Sequence, residues 1–408
     1  MNNLASLFES QGKNEAAEPL YEETLRLSKK VLGEEHPQTL SSMNNLASLF
    51  ASQGKYEAAE PLYVETLRLR KKVLGEEHPQ TLSSMNNLAF LFKSQGKYEA
   101  AEPLYEETLR LLKKVLGEEH PQTLTSINNL ADLFESQGKY EAAKPLYVET
   151  LRLRKKVLGK EHPQSLTSIN NLAGLFENQG KYEAAEPLYV ETLRLRKKVL
   201  GEEHPQTLGS MNNLAFLFKS QGKYEAAKLL FEETLRLSKK VLGEEHPQTL
   251  TSINNLAFLF KSQGKYEAAE PLYEETLRLL KKVLGDEHPQ TLTSINNLAY
   301  LFKSQGKYEA AEPLYVETLR LRKKVLGEEH PQTLSSMNNL ASLFASQGKY
   351  EAAEPLYEET LRLLKKVLGE EHPQTLLSIN NLAGLFESQG KYKVVEKPPL
   401  DQEHNLPL

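Results

Sequence analysis

Residues 37–78 read PQTLSSMNNLASLFASQGKYEAAEPLYVETLRLRKKVLGEEH, and the spacing within this stretch decides the fold. Leu40, Met43, Leu46, Ala47 and Phe50 fall at the i, i+3, i+4, i+7 intervals of one helical face. Pro37 suits the first turn of that helix, where its missing N–H has no partner to lose. Gly54 follows the last turn and supplies the left-handed residue on which many helices end. A second helix is predicted from about Tyr56 to Leu74, with Ala59, Leu62, Tyr63, Leu67, Val73 and Leu74 as its apolar face and Gly75 as its stop. Pro61 sits inside it and removes a backbone hydrogen bond, which predicts a mild kink; Leu229, at the matching place in repeat six, predicts a straighter helix there. Glu76, Glu77 and His78 make a short connection to the next proline, and no β-branched alternating run predicts a strand.

The unit repeats. Asn-Asn-Leu-Ala recurs from Asn2 to Asn380 and His-Pro-Gln from His36 to His372, always 42 residues apart and without an insertion. One helix pair cannot fold alone: a buried Leu or Phe contributes roughly 1.5–3 kcal/mol, against an ordering cost of about 1–2 kcal/mol per residue. Stacked copies bury the second face of each pair, so stability grows by nearest-neighbour interfaces. The expected architecture is all-α, an α-solenoid over residues 1–392 built from nine 42-residue repeats plus the first helix of a tenth. Residues 393–408 read as a Pro-containing, disordered tail.

Bulk properties narrow the function. The 408 residues are 39% hydrophobic and 26% charged, which suits a folded chain. A net charge of −5 gives no overall field to recruit nucleic acid or an anionic membrane. With no cysteine, disulfides, thiolate metal sites and thiol nucleophiles are excluded. The start Met1-Asn2-Asn3-Leu4-Ala5 lacks a secretory pattern and no apolar run reaches membrane-spanning length, so a soluble cytoplasmic protein without membrane insertion is expected.

The spacing of Leu46, Ala47, Phe50, Gly54, Ala59 and Tyr63 resembles that of the tetratricopeptide repeat. The longer signature, Asn-Asn-Leu-Ala, Gln-Gly-Lys-Tyr-Glu-Ala-Ala-Glu-Pro-Leu-Tyr and Lys-Val-Leu-Gly-Glu-Glu-His-Pro, is similar to that of the kinesin light chain and nephrocystin type, from residue 1 to about 392. The resemblance implies an arc or superhelix whose first helices line a concave groove that binds extended peptides. The heptad coiled coil that precedes kinesin light chain repeats has no counterpart here, and neither end reads as a polar capping repeat. Three settings follow: a peptide-binding scaffold, a kinesin light chain-like cargo adaptor, or a spacer or binding arm of a larger protein that self-associates through uncapped ends.

Comparing the copies isolates the variable positions. Four residues after the first Asn stand Ser6, Ser48, Phe90, Asp132, Gly174, Phe216, Phe258, Tyr300, Ser342 and Gly384. Three further on stand Glu9, Ala51, Lys93, Glu135, Glu177, Lys219, Lys261, Lys303, Ala345 and Glu387. These share a helical face with the Asn, which the resemblance turns toward the groove. Repeats six to eight thus offer Asn212, Phe216 and Lys219; Asn254, Phe258 and Lys261; and Asn296, Tyr300 and Lys303. Amides can pair with a peptide backbone, rings anchor apolar side chains and lysines favour acidic flanks, so an acidic peptide with an aromatic or leucine anchor is expected there. Asp132, Glu135 and Glu177 reverse the sign in repeats four and five. The competing reading is that the Asn pair only ties neighbouring helices together.

Other chemistry recedes. Val64, Val148, Val190 and Val316 travel with Arg70, Arg154, Arg196 and Arg322, while Glu106, Glu274 and Glu358 travel with Leu112, Leu280 and Leu364. These sites lie too far round the helix to pair, so the linkage reads as copying of whole repeats. Leu-Arg-Leu-Arg-Lys-Lys, as at 67–72, reads as a solvated outer face. The in-phase histidines stand about 10 Å apart, the scale of helix packing, and cannot share a metal. The acidic groups in the groove oppose base-by-base reading of RNA, and no singular constellation points to catalysis or a cofactor.

Overall fold

The structure, a computed structural model, describes residues 2–10 and 14–390; the tail and the expectation of disorder attached to it lie outside them. Among the described residues there are 19 helices and no strands. After α1 (Asn2–Ser10) and α2 (Asn14–Leu32), helices α3 (Pro37–Ser52) and α4 (Tyr56–Leu74) set a pattern that recurs to α19 (Pro373–Ser388). The expected start at Pro37 and the expected second helix, about Tyr56 to Leu74, agree with α3 and α4. No helix among the described residues is long and apolar enough to cross a membrane.

Local chemistry fixes each boundary. His36 is the N-cap of α3: its Nδ1 accepts the Gln38 backbone N–H at 3.2 Å, ahead of Pro37. Sequence reading had assigned the histidine to the connection alone. At the other end Gly54 has φ +76°, and Lys55 N–H reaches Phe50 O at 2.8 Å while Gly54 N–H reaches Ala51 O at 3.1 Å. Those are the two bonds of a Schellman turn, which needs a left-handed residue there. Beyond α4, Thr81 Oγ1 donates to Gly75 O at 2.8 Å and pins the connection to the next helix. Helix α4 continues through Pro61.

The core is shared between repeats. Ala47, Ala59, Tyr63 and Leu67 of repeat two pack against Leu82, Met85, Leu88 and Leu91 of repeat three in one buried cluster. Small alanines let the paired helices close, and the large residues fill the space to the next pair. Outside, ion pairs such as Arg68–Glu65 at 2.7 Å and Lys55–Glu18 at 2.7 Å decorate exposed faces and contribute little each. Val73 departs from expectation: it is 41% exposed.

The chain also meets itself further along. Each repeat adds the same small rotation, and after six repeats the chain returns over itself. A Cβ placed on Gly54 would lie 2.6 Å from Pro289 Cγ, and one on Gly138 2.8 Å from Pro373 Cδ. The ring of Tyr56 stacks on His330 with centroids 5.9 Å apart. His330 Nε2 donates to Ser94 O at 2.8 Å and His372 Nε2 to Ser136 O at 3.1 Å. The tautomer follows from the cap, since Nδ1 of His330 already accepts the Gln332 N–H at 3.1 Å. Successive turns of the superhelix thus meet along a seam.

Candidate functional site

Successive first helices touch directly, as do α5 (Pro79–Ser94) with α7 (Pro121–Ser136) and α13 (Pro247–Ser262) with α15 (Pro289–Ser304), so they form the inner wall of the curve. The variable stripe lies on that wall. Along most of it the asparagines form a ladder, the second Asn of one repeat donating to the first Asn of the repeat before. Asn87 Nδ2 reaches Asn44 Oδ1 at 3.0 Å, Asn213 reaches Asn170 at 3.1 Å and Asn339 reaches Asn296 at 3.0 Å. Tying helices together is therefore a real part of the motif's role. Three rungs are missing: Asn2 Oδ1, Asn212 Oδ1 and Asn254 Oδ1 are buried and lack a hydrogen-bond partner among the described residues. The last two belong to the repeats singled out from sequence, and the first to the opening helix.

The aromatic and basic residues of those repeats are brought together. Phe216 packs edge-on against Phe231 at 5.1 Å and lies 6.4 Å from Phe258, both half-buried, while Tyr300 is 42% exposed. Lys219 sits 4.1 Å over the Phe258 ring and Lys261 sits 3.6 Å over that of Tyr300, each reaching forward one repeat. Lys303 donates to Ser342 Oγ. Among the described residues no carboxylate comes within ion-pairing distance of Lys219, Lys261 or Lys303. Burial lowers the pKa of all three, and for Lys261, with Lys219 adding repulsion, it falls to about 8.

The acidic half of the wall is hydrogen-bonded internally. Asp132 pairs with Lys93, and Glu135 accepts from Tyr147 Oη at 2.7 Å and from Asn178 Nδ2 at 2.8 Å. Glu177 likewise accepts from Tyr189 Oη at 2.9 Å. Burial raises the pKa of Glu135 and Glu177, partly offset by those hydrogen bonds. This arrangement identifies residues that sequence reading missed. Where Lys261 and Lys303 replace glutamate, the tyrosine beneath has nothing to donate to: Tyr273 and Tyr315 are 0% exposed and their hydroxyls are unpartnered. Repeat six avoids the problem with Phe231, and that single Tyr-to-Phe change beside a lysine was the available signal.

One sequence reading is overturned. Arg70 does not lie on the solvated outer face; it is 6% exposed. Its Nη1 donates to Ser84 Oγ at 2.8 Å and to Gln80 O at 3.1 Å, and its Nη2 lies 3.5 Å from Ser41 Oγ. Arg154, Arg196 and Arg322 repeat the arrangement. Spaced three residues after Leu67 and seven after Tyr63, Arg70 continues the buried face. Lys71 and Lys72 do remain outside, paired with Glu76 and Glu35.

The tetratricopeptide-repeat model matches residues 1–72, 49–114, 89–156, 136–198, 164–240, 230–282, 251–324, 296–366 and 345–397 in overlapping windows. The chain belongs to the tetratricopeptide-repeat family. Tetratricopeptide-repeat proteins generally act as protein-interaction scaffolds, and the fold is of a non-catalytic type. Among solved structures, a putative kinesin light chain with nearly identical TPR-like repeats from Podosopora anserina is 29% identical, with 50% of this chain and 97% of that chain covered and a TM-score of 0.43. BtubC (BKLC) from P. vanneervenii is 25% identical over 58% of this chain and 94% of its own, with a TM-score of 0.45. A Rap protein complexed with competence and sporulation factor shares the fold at a TM-score of 0.52 and 13% identity, with 81% and 98% coverage. No curated protein matches this tetratricopeptide-repeat chain.

Proposed function

We propose that this chain is a cytoplasmic protein-interaction scaffold that binds an extended acidic peptide, with an aromatic or leucine anchor, across repeats six to eight. The observation that carries the reading is the lysine ladder Lys219–Lys261–Lys303, three half-buried cations of which none is within ion-pairing distance of a carboxylate among the described residues and only Lys219 feels one, Glu177 of the preceding repeat. An acidic partner supplies that charge and recovers part of the desolvation cost. The exposed ring of Tyr300 offers apolar surface beside the ladder. Cargo adaptation, as in kinesin light chains, is one setting for such a groove.

Fluorescence polarisation with a labelled acidic–aromatic peptide tests the reading on the intact chain. Lys219→Gln/Lys261→Gln/Lys303→Gln leaves the core untouched and is expected to weaken binding by at least about 2 kcal/mol, as is Phe216→Ala/Phe258→Ala/Tyr300→Ala. Equal affinity of the lysine variant and the unaltered chain would show that the ladder is not a binding element.

A further inference from the structure

The buried arginine position has three forms, arginine, leucine and, at Ser28 and Ser238, serine, and the leucine form leaves a hole. In repeats carrying Arg70, Arg154, Arg196 or Arg322, the guanidinium lies between consecutive first helices with no carboxylate beside it. It is held by a serine hydroxyl, a glutamine backbone carbonyl and a hydroxyl of the preceding helix. In repeats carrying Leu112, Leu280 or Leu364 the acceptors persist but the cation is gone. The hydroxyls facing those leucines, Ser126, Ser294 and Ser378, are buried and without a partner. Beside Leu112 opens a cavity of about 270 Å³ whose lining includes Ser83, Gln122 and Ser126, the counterparts of the three groups that hold Arg70. An equivalent cavity of about 160 Å³ lies beside Leu364, against Ser335, Gln374 and Ser378. Asn86 and Asn87 of the inner wall border the first and Asn338 and Asn339 the second, so both are bounded by the groove side of the superhelix.

We infer that these leucine-floored cavities are guanidinium sites, which take an arginine side chain from a bound partner in the place that the chain's own arginine fills elsewhere. The acceptors suit that group and not its relatives. Guanidinium carries five N–H donors and no acceptor, matching a pocket of hydroxyl and carbonyl oxygens. Citrulline brings a carbonyl oxygen into the same lone pairs, and the ammonium of lysine is a compact charge that holds its water more tightly. Because no counter-charge is involved, binding depends little on salt, unlike capture by a surface acidic patch. The lysine ladder plays no part in these sites.

The test uses the full chain and three labelled peptides with neutral Gly/Ser flanks, carrying one arginine, one lysine or one citrulline. Fluorescence polarisation is expected to give at least about tenfold tighter binding of the arginine peptide, roughly the discrimination of one well-made charge-assisted hydrogen bond. That preference should persist when salt is raised. Leu112→Arg/Leu364→Arg closes both sites with a residue that sister repeats already accommodate, so the variant folds and should lose the arginine peptide. Circular dichroism of the variant confirms the fold. The inference is overturned if the citrulline or lysine peptide binds as well, if the filled variant keeps its affinity, or if the arginine peptide does not bind at millimolar concentration.

Discussion

Ser84 and Ser126 occupy the same place in the repeat and have opposite energetic situations. Ser84 accepts from a buried guanidinium at 2.8 Å, so Ser84→Ala strands a charged donor and is expected to cost about 1–3 kcal/mol. Ser126 faces Leu112 and is itself unpartnered, so Ser126→Ala should be neutral or stabilising. Urea unfolding of the two single variants distinguishes them, and equal losses would mean that the guanidinium contacts carry no net stability. The buried arginine was present in the sequence as periodicity, three residues past Leu67, but its run of basic neighbours masked it. Composition spoke for the outer face; spacing spoke for the inner one. The unpartnered Tyr273 and Tyr315 hydroxyls were less legible, because they depend on which residue a neighbouring helix sets above them.

Helices were the most readable level. Proline at the start, glycine at the end and a 3.6-residue apolar stripe fixed α3 and α4 before any coordinates, since each acts through a local backbone requirement. What local rules could not tell was which glycines also meet another part of the molecule. Gly96 and Gly222 both have positive φ, +74° and +75°, and alanine at either carries the left-handed penalty of about 1–2 kcal/mol. A Cβ on Gly96 additionally runs into the ring of Pro331, whereas nothing lies within 4 Å of one on Gly222. Gly96→Ala should therefore lower the thermal midpoint more than Gly222→Ala. Identical shifts would place no packed contact at that turn.

The contact between turns belongs to the whole molecule and was not foreseen from sequence. Superhelical pitch is the sum of small rotations at every interface, and no single residue encodes it. Along that contact, burial lowers the pKa of His288 and His330 to about 4 and that of His372 below its ordinary 6.5. An imidazole that protonates less readily folded than unfolded contributes stability above pH 6.5, lost as pH falls toward 4. Arg322 near His330 acts in the same sense, whereas Glu135 and Glu177, with raised pKa values, act in the opposite one. The variant His330→Asn/His372→Asn keeps a good N-cap but cannot titrate. Its unfolding free energy should vary less between pH 6.5 and 4 than that of the unaltered chain. Equal slopes would locate the acid sensitivity elsewhere.

The six-repeat offset also changes what adding a repeat means. In an open solenoid each new unit touches only the one before it, and cooperativity stays one-dimensional. Here Pro331 bears on the Gly96 turn and Pro373 on the Gly138 turn, so a late repeat is coupled to an early one as well as to its predecessor. Because near-identical units carry both halves of that contact, duplicating a whole repeat preserves it, while gaining or losing a few residues would put every later unit out of phase. The unbroken 42-residue period is then a geometric condition for closure between turns.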